Sequence, residues 1–497
     1  MRGSQPALDA ARRMIEAAAS VDPKSLRRLY QNRGRALELA EDHPAAQENY
    51  QEMIHLAAER EDQTLELGAL IAQCDIQARH TPVFNPPVAR EFGQAALELA
   101  RELNDQAAEA AALGGLMFAA LYGGEENRNT LAYGEASLSL ARELGLKEQR
   151  GSVLVHLCWP YIAQKQLGAA LEANREAEAA WRELGNLPKL AETYEMRQFL
   201  YLLANELEEQ LATSSELHRL GRSTGNLMSQ GNALAMMGDV HRLQGRFGEA
   251  LTAIRAAMAL SDISGHPLWK QSEFYFRMDL YLAAGAMDQA EHMADQLYAL
   301  QASLMPIFQS AFFNRIARVK IACGKLGEGK AILDRALELC STGNIWSHYI
   351  IWIAITDAYL QLALGKPERA FNRLEERVQS YRQAGFRFNL AEELWLRGRV
   401  SLALGEVEAA KEILLEAKTV AEEKEERLFL WQILATLSEN ERMSGNEAEA
   451  EKLRGQACEI INYIADQAGD EEDLRAAFLD QPEVERVLAG SHMRIAD

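Results

Sequence analysis

The chain has 497 residues, 48% hydrophobic and 25% charged, which is enough apolar content to bury a core and argues against global disorder. Lys and Arg number 52 against 73 Asp and Glu, and the resulting formal charge of −21 repels phosphate backbones and anionic lipid, so nucleic acid and membrane are poor partners. The five cysteines, Cys74, Cys158, Cys323, Cys340 and Cys458, are scattered without metal or disulfide spacing, as in proteins of a reducing compartment.

Taken in chain order, Met1-Arg2-Gly3-Ser4 lacks the apolar run of a secretion signal and resembles a vector leader. Residues 1–24 are expected to form a leader or an N-terminal capping helix. The most apolar stretch, Ala110 to Leu121, is too short to span a bilayer, and the chain is expected to be cytoplasmic. From residue 25 to 465 one signal dominates. Ala96, Ala136, Ala177, Leu217, Ala257, Leu297, Ala336, Arg377, Ala417 and Ala457 recur at steps of 39 to 41 residues. A second ladder stands seven residues earlier: Ala89, Asn129, Ala170, Gln210, Ala250, Ala290, Gly329, Ala370, Ala410 and Ala450. A period this regular predicts an all-α solenoid of about eleven antiparallel helix pairs, an elongated right-handed superhelix without a sheet.

Several places depart from the period. The second pair carries a surplus that contains His80-Thr81-Pro82-Val83-Phe84-Asn85-Pro86-Pro87, a proline-rich loop on one rim of the array. The third pair has Gly123-Gly124-Glu125-Glu126-Asn127 in its turn, and Pro160 lies inside a first helix beside Trp159. Gly221-Arg222-Ser223-Thr224-Gly225 matches a nucleophile elbow in letters, but Gly225 falls where Gly145 and Gly185 end second helices, so it is read as a helix C-cap. Gly324-Lys325-Leu326-Gly327-Glu328-Gly329-Lys330-Ala331 has phosphate-loop spacing, yet Ala331 offers no hydroxyl for magnesium and Gly329 occupies a small-residue slot of a helix pair. The ten histidines form no His-x-x-x-His pair or Cys/His cluster. No catalytic residue, metal or cofactor is expected.

The repeat is clearest over Leu227 to Gly265. A first helix, Ser229 to Leu243, is broken at Gly245, and a second runs from about Phe247 to Leu260. Small residues at Gly238, Ala250 and Ala257, with Ile254 between them, let the two helices approach closely, and Gly398, Ala410, Leu414 and Ala417 repeat the pattern. Small, small, bulky, small at these offsets resembles the tetratricopeptide repeat, and Tyr161, Tyr201 and Tyr281 fall where that family often places tyrosine. The units exceed the usual 34 residues through longer second helices such as Trp181-Arg182-Glu183-Leu184-Gly185-Asn186. Such long, alanine-rich units resemble the sensor region of bacterial signalling ATPases and transcription activators of the MalT-like type. Residues 470–479 with Pro482 and Val484 look like the closing helix of those arrays, so 466–489 is expected as a capping helix and 490–497 as a tail resembling a cloning scar.

What the resemblance implies is a binding surface. In that family first helices line the concave face. In this register it carries Trp159, Glu192, Glu195, Phe199, Asn232, Met236, Asp239, Arg242, Tyr275, Asp279, Asn314, Arg315, Arg318, Trp352, Tyr359, Trp395 and Arg399. Aromatic area beside directional polar groups suits recognition of a protein or peptide. The expected function is a non-enzymatic, monomeric binding module, the sensor or scaffold of a bacterial signalling protein of the STAND type. A small-molecule effector receptor and a stand-alone adaptor remain the alternatives. The two-lysine arrangement of chaperone-binding members is not seen, although Arg315 and Arg318 could hold an anionic group. As groove residues, their replacement by Ala is expected to weaken binding while leaving the melting temperature nearly unchanged.

Overall fold

The computed structural model describes residues 23–490 except 41, 80, 125–126, 265–266, 302–305 and 341–348, and it describes no side chain at 23–24, 39, 264, 267–273, 306–308 and 377. The leader (1–22), the last residues of the tail (491–497), His80, Glu125, Glu126, Gly265 and the Arg377 side chain therefore lie outside the described residues. Twenty-four helices are present among the described residues, and no strand. They fall into two compact units that meet at Asn186 and Leu187 in sequence.

The N-terminal unit holds four pairs: α1 (Pro23–Leu39) with α2 (His43–Glu59), α3 (Gln63–Ala78) with α4 (Pro86–Glu102), α5 (Gln106–Gly123) with α6 (Asn127–Glu143), and α7 (Lys147–Ala163) with α8 (Leu167–Leu184). The C-terminal unit holds seven more. These are α9 (Leu187–Ala204) and α10 (Leu207–Thr224), α11 (Leu227–Leu243) and α12 (Phe247–Ser264), α13 (Pro267–Ala283) and α14 (Met287–Ala299), and α15 (Pro306–Ala322) and α16 (Leu326–Cys340). The last three are α17 (Ile350–Ala363) and α18 (Pro367–Gln383), α19 (Leu390–Ala403) and α20 (Val407–Glu423), and α21 (Arg427–Met443) and α22 (Glu447–Asp466). Two short helices, α23 (Glu472–Leu479) and α24 (Pro482–Ala489), stand where one closing helix was expected.

Local chemistry sets the helix ends. Asp62 caps α3 by accepting from the amides of Thr64 and Leu65, and Asp105 and Asn226 cap α5 and α11 in the same way. Gly225 ends α10 at φ +70°, so the elbow-like motif is a left-handed C-cap, and Ser223 donates to the Leu220 carbonyl of its own helix. Within a pair the small residues do what their spacing predicts. A Cβ at Gly238 would stand 2.9 Å from Ile254 Cγ1, and one at Gly398 would stand 2.5 Å from the Leu414 side chain. Ala250, Ala410 and Ala417 are fully buried at the same contacts.

One rung of the ladders is displaced. Ala136 and Asn129 are exposed, while Ser137 and Thr130 are fully buried in their place. Ser137 Oγ donates to the Ala110 carbonyl at 2.7 Å, which satisfies the hydroxyl in an otherwise apolar slot. An alanine ladder favoured the apolar neighbour. Packing selects the residue that faces α5.

The C-terminal unit does not run straight. Turns inside its first three pairs are covered by chain about 200 residues further on. The Leu203 carbonyl accepts from the amides of Arg387 and Phe388, Asn205 Nδ2 donates to Glu426 Oε1 at 2.6 Å, and Lys424 pairs with Glu206. At the next turn Gly248 N–H donates to the Gln467 carbonyl at 2.9 Å, and Phe247 meets Phe478 edge to face at 5.5 Å. Arg255 pairs with Glu471. At the third, Gln481 Nε2 donates to the Ala283 carbonyl at 3.3 Å. Glycine permits this approach. Gly245 sits at φ +74°, and a Cβ there would stand 2.6 Å from Ile464 Cγ1, while one at Gly248 would stand 2.9 Å from the Ala468 carbonyl oxygen. The inner face of this unit is thereby wrapped by its own array.

Candidate functional site

In the C-terminal unit the first helices present to one another the residues that the register assigned to the inner face. The 40-residue step places Asp239, Asp279, Arg318, Tyr359 and Arg399 on one rung of α11, α13, α15, α17 and α19. Arg242 Nε and Nη2 both donate to Asp239 Oδ1, at 2.9 and 2.7 Å. Arg315 Nη2 lies 2.9 Å from Asp279 Oδ2 and donates to the Tyr275 hydroxyl at 2.7 Å. Arg318 pairs with Glu392 and donates to the Tyr359 hydroxyl, while Tyr359 donates to Glu392 Oε1 at 2.9 Å and Asn389 Nδ2 to Glu392 Oε2 at 2.7 Å. Three arginines and three carboxylates thus form three nearly dry ion pairs whose charges act on one another. Arg242, Asp279 and Arg315 are each less than a tenth exposed, and Glu392 is 1% exposed.

Burial and pairing set the protonation of this cluster. Desolvation pushes the Asp279 carboxyl up despite Arg315 and Arg242, and raises the Tyr275 phenol to about 12. For Glu392 burial also pushes upward, but the Arg318 charge and the hydrogen bonds from Arg318, Tyr359 and Asn389 outweigh it and hold the carboxyl below its ordinary value. For Arg318 burial works against the charge, and Glu392 more than restores it. Two further carboxyls lack an arginine. Burial raises Glu195 to about 7, although Ser229 Oγ donates to it at 2.8 Å, and raises Glu426 to about 7 although Asn205 donates to it.

The aromatic members divide between packing and access. Trp352 Nε1 donates to Asn389 Oδ1 at 3.0 Å and its ring lies 4.4 Å from that of Phe388, while Trp395 Nε1 donates to Thr436 Oγ1 at 2.9 Å. Both are buried. Asn314 is buried as well, with no hydrogen-bond partner for Oδ1 among the described residues. Phe199, Asn232 and Arg399 are half-buried. Arg399 lies over the Trp395 ring at 5.0 Å and pairs with no carboxylate among the described residues.

Trp159 belongs to the N-terminal unit, half-buried on α7. One turn away His156 packs edge to face on Phe118 at 4.5 Å and near Tyr122 at 6.3 Å, and the Arg79 guanidinium lies 4.8 Å over Phe118. His156 hydrogen-bonds the Ser152 carbonyl of its own helix through Nδ1. This His–aromatic–Arg cluster was not singled out from the sequence, although Phe118 shares the rung of Trp159. Glu392 was missed too, although it follows Trp352 by one 40-residue step. Glu426 and Asn205 carry no such signal, because they meet only where the array returns on itself.

Among the described residues no helix is long and apolar enough to cross a membrane, and no three His, Cys, Asp or Glu side chains are grouped to hold a metal ion. No curated protein matches the chain. Among solved structures it is similar to a Rap protein complexed with competence and sporulation factor, at 12% identity and TM-score 0.41 over 81% of this chain and 99% of that one. It is similar too to the Cut9–Hcn1 hetero-tetramer of APC/C, at 12% identity and TM-score 0.46 over 96% and 97% of the two chains. A family model described as the MalT-like TPR region matches residues 194–460, more than half of the sequence. The long helix pairs, the small-residue contacts and this match agree: the chain belongs to the family of MalT-like TPR regions.

Proposed function

We propose that the chain is a non-enzymatic binding module, the sensing part of a bacterial signal-transduction protein of the STAND type, and that it takes a peptide or protein segment on the inner face of its first helices. One observation carries the reading. Five consecutive first helices contribute polar side chains to the inner face, where the pairs Arg242–Asp239, Arg315–Asp279 and Arg318–Glu392 lie close enough for their charges to act on one another. A segment that enters must exchange these pairs for its own carboxylates and amides, and the cost of doing so favours a ligand that replaces them in kind. Beside the closed cluster, Arg399 and Asn232 are inner-face polar groups left half-open. The self-wrapping of the C-terminal unit favours a second reading, a small effector instead of a chain, because it narrows the approach to that face.

The test uses quantitative capture from an extract of the source organism, with the wild-type chain, an Asn232→Ala/Arg399→Ala variant and a Glu216→Ala/Arg219→Ala variant, which removes an exposed ion pair of the second helix α10. A partner retained by the outward variant and lost by the inner one supports the peptide reading. Capture that ignores the inner change but fails with the outward one refutes it. Binding of small metabolites alone, abolished by the inner change, selects the effector reading.

A further inference from the structure

A buried acid sits where the C-terminal unit returns on itself. Glu426 stands at the N-terminal end of α21, yet its carboxyl accepts no capping bond from that helix. It accepts instead from Asn205 Nδ2 at 2.6 Å, across 221 residues of sequence. Glu426 is 1% exposed and Asn205 3%, so solvent is shut out of the contact. Beside it the Leu203 carbonyl accepts from the amides of Arg387 and Phe388, at 2.8 and 3.1 Å, and Lys424 pairs with Glu206. Turns and helix ends supply all of these groups, α9–α10 on one side and α18–α19 with α20–α21 on the other.

The charges that face Glu426 are engaged elsewhere. Arg242 on α11 pairs with Asp239, Lys424 at the end of α20 with Glu206, and Arg427 on α21 itself with Glu425. Glu392 on α19 is a like charge, already held by Arg318. Among the described residues no cation lies within ion-pair distance of the Glu426 carboxyl. An ionised Glu426 is therefore left in the closed seam with one amide bond and no counter-charge, whereas water solvates it in an opened one. We propose that the seam is a latch worked by a proton: a neutral Glu426 keeps the turns joined, and its ionisation loosens them and widens the approach to the inner face. Burial is the largest influence on this carboxyl and, with Glu392, raises it to about 7 against Asn205, Arg242 and Lys424. With the seam open it returns toward the ordinary carboxylate value of 4.5. Closure is thus strongest below that value, weakens as pH rises toward 7, and changes little above about 8. The inference rests on the return of the array and not on the ligand proposed above.

Hydrogen exchange of the full chain, read by mass spectrometry with each rate divided by its intrinsic value at that pH, tests the latch. The amides of Arg387 and Phe388 report the seam, and the Leu146 amide, bonded to the Ala141 carbonyl in the N-terminal unit, is the control. Between pH 5 and pH 7.5 the seam amides should lose protection by about tenfold or more, while Leu146 holds its own. Glu426→Gln keeps the shape and the acceptor for Asn205 but cannot ionise, so its seam amides should stay within about twofold over the same range. Asn205→Asp sets a second carboxyl against the first and should lower seam protection at pH 7.5 below that of the wild type. Seam protection that is flat with pH in the wild type, a fall of equal size in Glu426→Gln, or a parallel loss at Leu146 overturns the proposal. An Asn205→Asp variant as protected at pH 7.5 as the wild type does so too.

Discussion

Replacing Arg318 with Met isolates what the inner face costs the protein. The Arg318 side chain is 16% exposed and that of Glu392 1%, so the substitution removes the counter-charge from a carboxylate that water cannot reach. Removing one partner of a buried pair costs about 3–5 kcal/mol. Glu392 keeps its hydrogen bonds from Tyr359 and Asn389, so the loss should fall near the low end, about 3 kcal/mol. The pH dependence carries the sign. In the wild-type chain Glu392 is held below its ordinary value, so its contribution is present at neutral pH and lost as pH falls through the acid range. Without Arg318, burial alone pushes that carboxyl up, and the folded variant takes up a proton that the unfolded chain does not. The gap between the two proteins should therefore shrink from pH 8 to pH 5. Urea unfolding followed by circular dichroism at both pH values measures it, with Glu392→Gln and the double variant completing a cycle whose coupling should reach about 2 kcal/mol. A single variant within about 0.5 kcal/mol of wild type at pH 8, or a double variant no better than Arg318→Met alone, would refute the reasoning. From the sequence, Arg315 and Arg318 are groove residues whose replacement leaves the melting temperature nearly unchanged; their buried pairing predicts a loss of stability instead.

Glu426→Gln should be near neutral at pH 4 and stabilise the protein by up to about 3 kcal/mol at pH 8, because a carboxyl raised to about 7 by burial loses stability as pH rises from its unfolded value to 7; a melting difference that does not grow with pH, against Asn205, Lys424, Glu392, Arg242 and Glu206 around it, would count against this. Gly248 and Gly327 share a register, but only the first meets another part of the chain, so Gly248→Ala should cost about 1–3 kcal/mol by overpacking and Gly327→Ala should gain about 0.5–1 kcal/mol by helix propensity, read from melting temperatures. Phe478→Ala removes a fully buried ring that packs on Phe247 and Trp431, and should cost about 3–5 kcal/mol. Hydrogen exchange at the Gly248 amide should accelerate in that variant, and unchanged protection there would show that α23 does not hold the returning turn.

The sequence by itself determined the fold class, the pairing of helices and their caps, because each of these depends on contacts within one pair or with its neighbour. Gly238 against Ile254, Gly398 against Leu414 and Gly225 at its cap are local demands, and a 40-residue period repeats them without reference to the rest of the chain. The rung at Ser137 escaped by one residue because a period fixes spacing, whereas burial depends on which side chain faces α5. The tertiary structure alone decided how the array curves. Small rotations from pair to pair accumulate until Leu203, Gly248 and Ala283 meet chain some 200 residues away, and no single repeat encodes that sum. Stacking of the first helices turned Arg315 and Arg318 from expected groove residues into partners of Asp279 and Glu392, whereas Arg242 pairs with Asp239 three residues before it on its own helix. A buried charge must be paired, and only the stacked helices bring the Arg315 and Arg318 pairs together.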